Sequence, residues 1–215
     1  VEAFVDDVGA ALRAVTDQLG RTGPDRSRQD VLQEAFNLVC AFIDGDGRHA
    51  DEELWVLTKT FGPMMGDPQL AGSTPSDRRN SSIVSGKGAW LRTPSTLFEI
   101  LVSADDDRSY AWAYYSRAMD LLHVLASLDA VTSKGELDVI AAYRDVLIGR
   151  IDHMVMLRCV QVVRRLMVRN KEVGVFCNVA AATLGNPAIF AQCLDFLEAN
   201  RALAPSFVLE FKQAT

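Results

Sequence analysis

A mainly α-helical chain, a helical bundle followed by a short βαβ segment, is the fold class that the sequence predicts, and three observations predict it. Apolar residues recur at helical spacing through most of residues 1–148. No β-branched alternation of any length appears before residue 173. The last third then carries two short apolar runs that each end in a polar residue: Val173-Gly174-Val175-Phe176-Cys177 runs into Asn178, and Phe207-Val208-Leu209 runs into Glu210. A helical pattern with Ile189, Phe190, Cys193, Leu194, Phe196 and Leu197 lies between them. Strand, helix, strand, with a metal-ligand type of side chain closing each strand, is how a (β/α) barrel builds its active face.

In chain order, residues 2–19 place Phe4, Val5, Val8, Ala11, Leu12, Val15 and Leu19 on one helix face, and Gly20 to Pro24 break the pattern. A second helix covers about 28–43, with Val31, Leu32, Ala35, Phe36, Val39, Cys40 and Ile43 inside. Asp44-Gly45-Asp46-Gly47-Arg48-His49 makes a tight polar turn. A third helix starts near Ala50, its first turn rich in acid (Asp51, Glu52, Glu53), as the helix dipole favours. Gly, Pro and Ser from Gly62 to Ser76 predict a loop. Helical patterns resume at 77–92, 95–104, 109–129 and 134–148, and the last runs on to Arg169 as one continuous helix. The expected domains are therefore 1–148, all-α, and 149–215, an α-β-α-β segment that ends at Thr215 before a barrel could close.

With 215 residues and 49% hydrophobic content, the chain can bury a sizeable core. A net charge of −6 argues against a nucleic-acid partner, which asks for a basic face. The local cluster Arg164, Arg165, Arg169 and Lys171 is expected to be the solvated face of a helix whose apolar face is Val162, Val163, Leu166 and Met167. Cys40, Cys159, Cys177 and Cys193 form no CxxC pair and each sits in an apolar run, so buried free thiols in a reducing cytoplasm are expected. No apolar run is long enough to span a bilayer, and no secretory leader is seen, so the expected location is cytoplasmic, with no membrane partner.

One internal echo stands out. Asp46 to Asp129 and Glu53 to Glu136 are both 83 residues apart, and in each case an apolar helix runs into an Asp, a short turn, and a Glu-Leu pair (Glu53-Leu54, Glu136-Leu137). Two helix-turn-helix units of one design would bring the two acidic turns together. Ordinary capping explains an Asp at a helix end and a Glu in the next first turn. A shared cation site is the rival. Through Phe42-Ile43-Asp44-Gly45-Asp46-Gly47-Arg48-His49-Ala50-Asp51-Glu52-Glu53-Leu54-Trp55 and the stretch from Ala126-Ser127-Leu128-Asp129 to Glu136-Leu137, residues 28–148 resemble the TerB-like helical fold. They also resemble the helical region that precedes the ATPase core in some actinobacterial AAA+ proteins. That resemblance implies a stress-response assembly with protein partners, and a Ca²⁺- or Mg²⁺-binding surface made by Asp44, Asp46, Glu53, Asp129 and Glu136. An EF-hand is excluded, because counting from Asp44 puts Arg48 at position 5, His49 at 6 and Trp55 at 12.

Ser85-Gly86-Lys87-Gly88 follows no strand, lacks the first Gly of a phosphate loop and has Gly88 where a hydroxyl would bind magnesium, so a turn or kink is expected. His123 is expected at the core or its boundary. Trp55, Trp90, Trp112, Tyr110, Tyr114 and Tyr115 are expected to fill the helical core. No Ser or Cys sits in a nucleophile signature.

From Ile151-Asp152 the chain resembles the middle of an EAL domain, the TIM-barrel phosphodiesterase of cyclic di-GMP. The likeness runs through Arg158 to Leu166, Gly174-Val175-Phe176-Cys177-Asn178-Val179-Ala180, Phe190 to Leu197, and Val208-Leu209-Glu210-Phe211. The resemblance implies that Asn178 and Glu210 are ligands of a catalytic Mg²⁺ or Mn²⁺, a metal that would polarise the phosphodiester and activate a water. The Glu-Ala-Leu tripeptide is missing, and Gln213 stands where the family has a second Glu. The expected function is therefore a non-catalytic helical interaction module, with divalent-cation binding and an incomplete EAL-like tail. Cyclic di-GMP binding or hydrolysis is the alternative.

Overall fold

The structure, a computed structural model, describes residues 1–20, 25–104, 108–128, 132–170 and 172–211. It is mostly helical, with one small parallel sheet of two strands. The chain divides into two compact units, Val1–Arg144 and Asp145–Thr215, and the division falls inside a long helix.

The first unit is helical. Its long elements are α1 (Glu2–Gln18) and α2 (Ser27–Gly45). After them come α3 (Asp51–Val56), a π-helical turn (Leu57–Phe61), α4 (Gly62–Met65), α5 (Pro68–Ala71) and α6 (Pro75–Arg78). A 3₁₀ turn (Gly88–Arg92), α7 (Thr96–Ala104), α8 (Ser109–Leu125) and the start of α9 (Lys134–Met167) complete it. Phe4, Val5, Val8, Ala11 and Val15 repeat at helical spacing, and all are buried, which is why α1 lies on the core. On α2 the buried set is Val31, Ala35, Leu38, Val39, Phe42 and Ile43. On α8 and just beyond it Tyr114, Ala118, Leu121, Leu122, Leu125 and Ala126 are buried, each 83 positions after its α2 counterpart. The echo is thus carried by the core as well as by the turns. Tyr114 is its centre, with Phe98 and Phe4 packed at 5.1 and 5.4 Å between ring centroids.

Several local expectations change. The stretch expected as a loop from Gly62 to Ser76 contains α4, α5 and the start of α6, each with Pro in its first turn. Asp67 and Thr74 cap α5 and α6, so the Pro residues that suggested a loop are, with these caps before them, start signals of short helices. Residues 77–92 are not one helix: turns follow α6, and only a 3₁₀ segment forms from Gly88. Trp55 and Trp112 are 40% and 45% exposed, and His123 is exposed, so none of the three fills the core. Tyr114, by contrast, is fully buried.

The second unit contains most of α9, then β1 (Val175–Val179), α10 (Ala181–Gly185), α11 (Pro187–Ala199), a 3₁₀ segment (Arg201–Ser206) and β2 (Phe207–Phe211). The strands pair in parallel, Val175 with Phe207 through Val179 with Phe211, across the helical connection that parallel strands require. One sheet face presents Cys177 and Val179 to Met156 and Cys193, with Ile189, Phe196, Phe207 and Leu209 around them. Gly149 on α9 has no room for a Cβ beside Ile189, so glycine allows α11 to come close there. Asp152 accepts hydrogen bonds from Ala180 N–H (2.7 Å) and Thr183 Oγ1–H (2.5 Å), tying α9 to the turn after β1. All four cysteines are free, with Cys40, Cys177 and Cys193 buried and Cys159 half-buried. Arg164, Arg165 and Arg169 are exposed, but so are Val162 (44%) and Leu166 (42%) of the expected apolar face; Val163 is buried. Lys171 lies outside the described residues.

Candidate functional site

The first acidic turn is built by the end of α2. Gly47 (φ 75°) and His49 (φ 49°) take the left-handed conformation that lets the chain reverse into α3. Asp44 then faces the loop that the phosphate-loop look-alike forms. Its Oδ2 accepts from Gly88 N–H at 2.8 Å, and Gly86 N–H also points at it. Its Oδ1 accepts from His49 Nε2–H at 3.2 Å. His49 Nδ1 in turn accepts from Asn80 N–H at 3.3 Å, which fixes the hydrogen on Nε2. Burial pushes the Asp44 carboxyl up, but the two amides and the imidazole outweigh it and hold Asp44 below the usual carboxylate range. A Cβ on residue 88 would lie 3.3 Å from Asp44 Oδ2 and 3.2 Å from Gly45 Cα, so Gly88 is what permits this approach.

Asp46 belongs to both turns. Its Oδ1 accepts from Arg48 N–H (3.0 Å), and its Oδ2 accepts from Ser133 Oγ–H (3.4 Å) in the turn before α9. Gly135 packs against its Cβ. The two turns are therefore neighbours, as the repeat predicts. Glu53 reaches back to accept from Ala50 N–H at 3.2 Å. Glu136 reaches back in the same way to Ser133 N–H, and Ser133 Oγ accepts from Glu136 N–H at 3.1 Å. The second turn thus has a complete capping box, whereas Ala50 has no side-chain oxygen to complete the first. Glu53 and Glu136 are both buried. Asp129 lies outside the described residues.

These carboxylates do not converge on a common point. Among the described residues no group of three or more His, Cys, Asp or Glu side chains could hold a metal ion. Both oxygens of Asp44 and of Asp46 already accept hydrogen bonds, and one oxygen of Glu53 and of Glu136 serves a backbone amide. The described residues do not fit a Ca²⁺ or Mg²⁺ ion, which needs several oxygens turned to one centre.

In the second unit Asn178 and Glu210 are direct partners in the parallel register. Each is the fourth residue of its strand, not the residue after it, because β1 runs from Val175 to Val179. Alternation puts both on the exposed face, opposite the one that packs on α11. Among the described residues neither side chain has a hydrogen-bond partner. Two oxygen side chains side by side suit one edge of an Mg²⁺ or Mn²⁺ shell and no more.

A third constellation escaped the sequence. Glu34 projects from the buried stripe of α2, 8% exposed, and its Oε1 accepts from Ser95 Oγ–H and from Tyr114 O–H (2.7 Å). Tyr114 spends its only hydrogen there, so Tyr143 donates to Tyr114 across 3.0 Å. Burial pushes the Glu34 carboxyl up, and the two hydroxyls pull it part of the way back. The one available signal was a Glu at a core position, between Val31 and Leu38, where an apolar residue belongs.

No family model, no curated protein and no solved structure matches this chain.

Proposed function

We propose that the helical unit is a non-catalytic interaction module of the TerB-like kind, in which the acidic turns form an internal latch of the bundle, capping helices and holding neighbouring loops. The observation that carries this reading is the use of the turn acids. Asp44 holds the Gly86–Gly88 loop and His49, Asp46 holds Ser133, and Glu53 and Glu136 cap α3 and α9. Burial pushes the Cys40 thiol up to about 12 and raises Tyr114 and Tyr143, the reverse of what activates a nucleophile.

Thermal melting of the full chain with Ca²⁺ or Mg²⁺ tests the latch. An ion that binds only the folded state must raise the melting temperature. The latch reading expects no rise at millimolar ion. A rise that Asp46→Asn abolishes would replace the latch with a cation site of the acidic turns.

A second reading rests on the in-register pair Asn178 and Glu210. It makes the tail an EAL-like surface for cyclic di-GMP, with Mg²⁺ or Mn²⁺ at those two oxygens polarising a phosphodiester. Calorimetric titration of the dinucleotide with either ion decides it; neither heat nor turnover would end this reading.

A further inference from the structure

In the helical unit a cleft of about 660 Å³ opens among α1, α2 and α7, away from the acidic turns. Its volume is that of an ordinary small-molecule site. Leu12 on α1 and Leu97 and Ile100 on α7 give it an apolar wall, and Glu34 lines it from α2. The two hydroxyls that serve Glu34 both bind Oε1. Among the described residues Oε2 has no partner, and Glu34 lines the cleft, so Oε2 is the oxygen left for a ligand there.

Burial raises the Glu34 carboxyl, so its charged form is costly in the empty cleft and is favoured only when a donor or a cation meets its second oxygen. The charges at the rim indicate what could. Asp17, Asp25 and Asp30 line it together with Arg13 and Arg26, so with Glu34 the described lining holds four acidic side chains against two guanidiniums. An anionic ligand would meet net repulsion, and a neutral one would leave Oε2 short of charge. An ammonium group supplies both a positive charge and N–H donors.

We propose that this cleft binds a small organic ammonium ion, with its charged head on Glu34 Oε2 and its apolar body against Leu12, Leu97 and Ile100. The site is independent of the turn latch and of the strand-borne pair, and neither reading needs it.

The test is titration of the full chain with benzylammonium, followed by heteronuclear NMR, with benzyl alcohol and benzoate as neutral and anionic controls. The expected result is saturable shifts in α1, α2 and α7 with a Kd on the order of 1 mM or tighter, and no saturation by either control. Glu34→Gln keeps an oxygen for Ser95 and Tyr114 but turns the cleft-facing atom into a donor, and should weaken binding at least tenfold. Ile100→Trp fills the mouth from a side chain that is 41% exposed and outside the hydroxyl network. It should abolish binding with the melting temperature unchanged, and it carries the test if Glu34→Gln fails to fold. Failure to saturate, equal binding of benzyl alcohol, or unaltered binding in Ile100→Trp or in folded Glu34→Gln would overturn the proposal.

Discussion

The turn from α2 into α3 and the turn from α8 into α9 share a spacing and a glutamate cap, yet they end differently. The first leads into six residues of α-helix and then a π-helical turn, the second into a helix of 34 residues. In the first, the helix-end acid Asp44 reaches outward to a separate loop, and the N-cap Ala50 offers no oxygen. In the second, Ser133 and Glu136 close a reciprocal box, while among the described residues the hydroxyl of Ser127, the counterpart of Asp44, bonds to Val124 O (2.7 Å) at its own helix end. The repeat fixes where the following helix starts, at Asp51 and Lys134, whereas α2 and α8 end out of register at Gly45 and Leu125. Side chains outside the repeat decide what each turn is fastened to.

The largest expected effect breaks that asymmetry at Asp44. Asp44→Ala leaves the Gly88 amide and His49 without their acceptor and should cost about 2–3 kcal/mol, in the range for hydrogen bonds to a charged group. Ser127→Ala, at an exposed position, should change stability by less than about 0.5 kcal/mol. Urea melts of the two variants check this, and equal losses would remove the distinction between the turns. The same pair of melts has a pH signature. Asp44 is held below its ordinary 3.8, so its stabilisation is present above that value and is lost as pH falls through the folded value; Asp44→Asn should flatten this acid limb. Glu34 runs the other way. Its folded value lies above the ordinary 4.5, so its contribution is fully present below 4.5 and is lost as pH rises through the folded value. Glu34→Gln should remove that decline, and a profile that instead kept it would show another group to be responsible.

Smaller effects sharpen the comparison at the caps. Ser133→Ala should cost about 1 kcal/mol by opening the complete box, as chemical denaturation would show. Ala50→Ser, at a residue already in the extended conformation that an N-cap needs, should add roughly 0.5–1 kcal/mol by completing the other box. If Ala50→Ser destabilises, the two turns are not equivalent in backbone geometry. Smallest is the contact between the turns. A double-mutant cycle of Asp46→Ala and Ser133→Ala should give a coupling of about 0.5 kcal/mol, since 3.4 Å is long for a hydroxyl–carboxylate bond.

Periodicity located α1, α2, α7, α8 and α9, because burying one face of an amphipathic helix is a local pattern with a long-range cause, and two short apolar runs located the strands. It failed between Gly62 and Arg92, where one-turn helices and turns leave too few residues for any period to show. It also misplaced Trp55 and Trp112, since an aromatic residue looks the same in sequence whether it faces the core or borders it. The end of β1 was misjudged for a related reason: Asn178 looked like a stop signal, but on the exposed face of a strand a polar residue is the ordinary alternation.

The sequence by itself determined the mostly helical body, the parallel βαβ tail, the 83-residue repeat and the glutamates that begin α3 and α9. All of these follow from interactions within a few residues or from a repeated spacing. Only the tertiary structure decided that Asp44 serves the Gly86–Gly88 loop, that Asp46 joins the two turns, and that Asn178 and Glu210 stand in register. It also buried Glu34 beneath Ser95, Tyr114 and Tyr143, residues 61, 80 and 109 positions away along the chain. A carboxylate's partners are set by which backbone amides and hydroxyls the packed helices carry to it. At separations of that size no local pattern records the meeting.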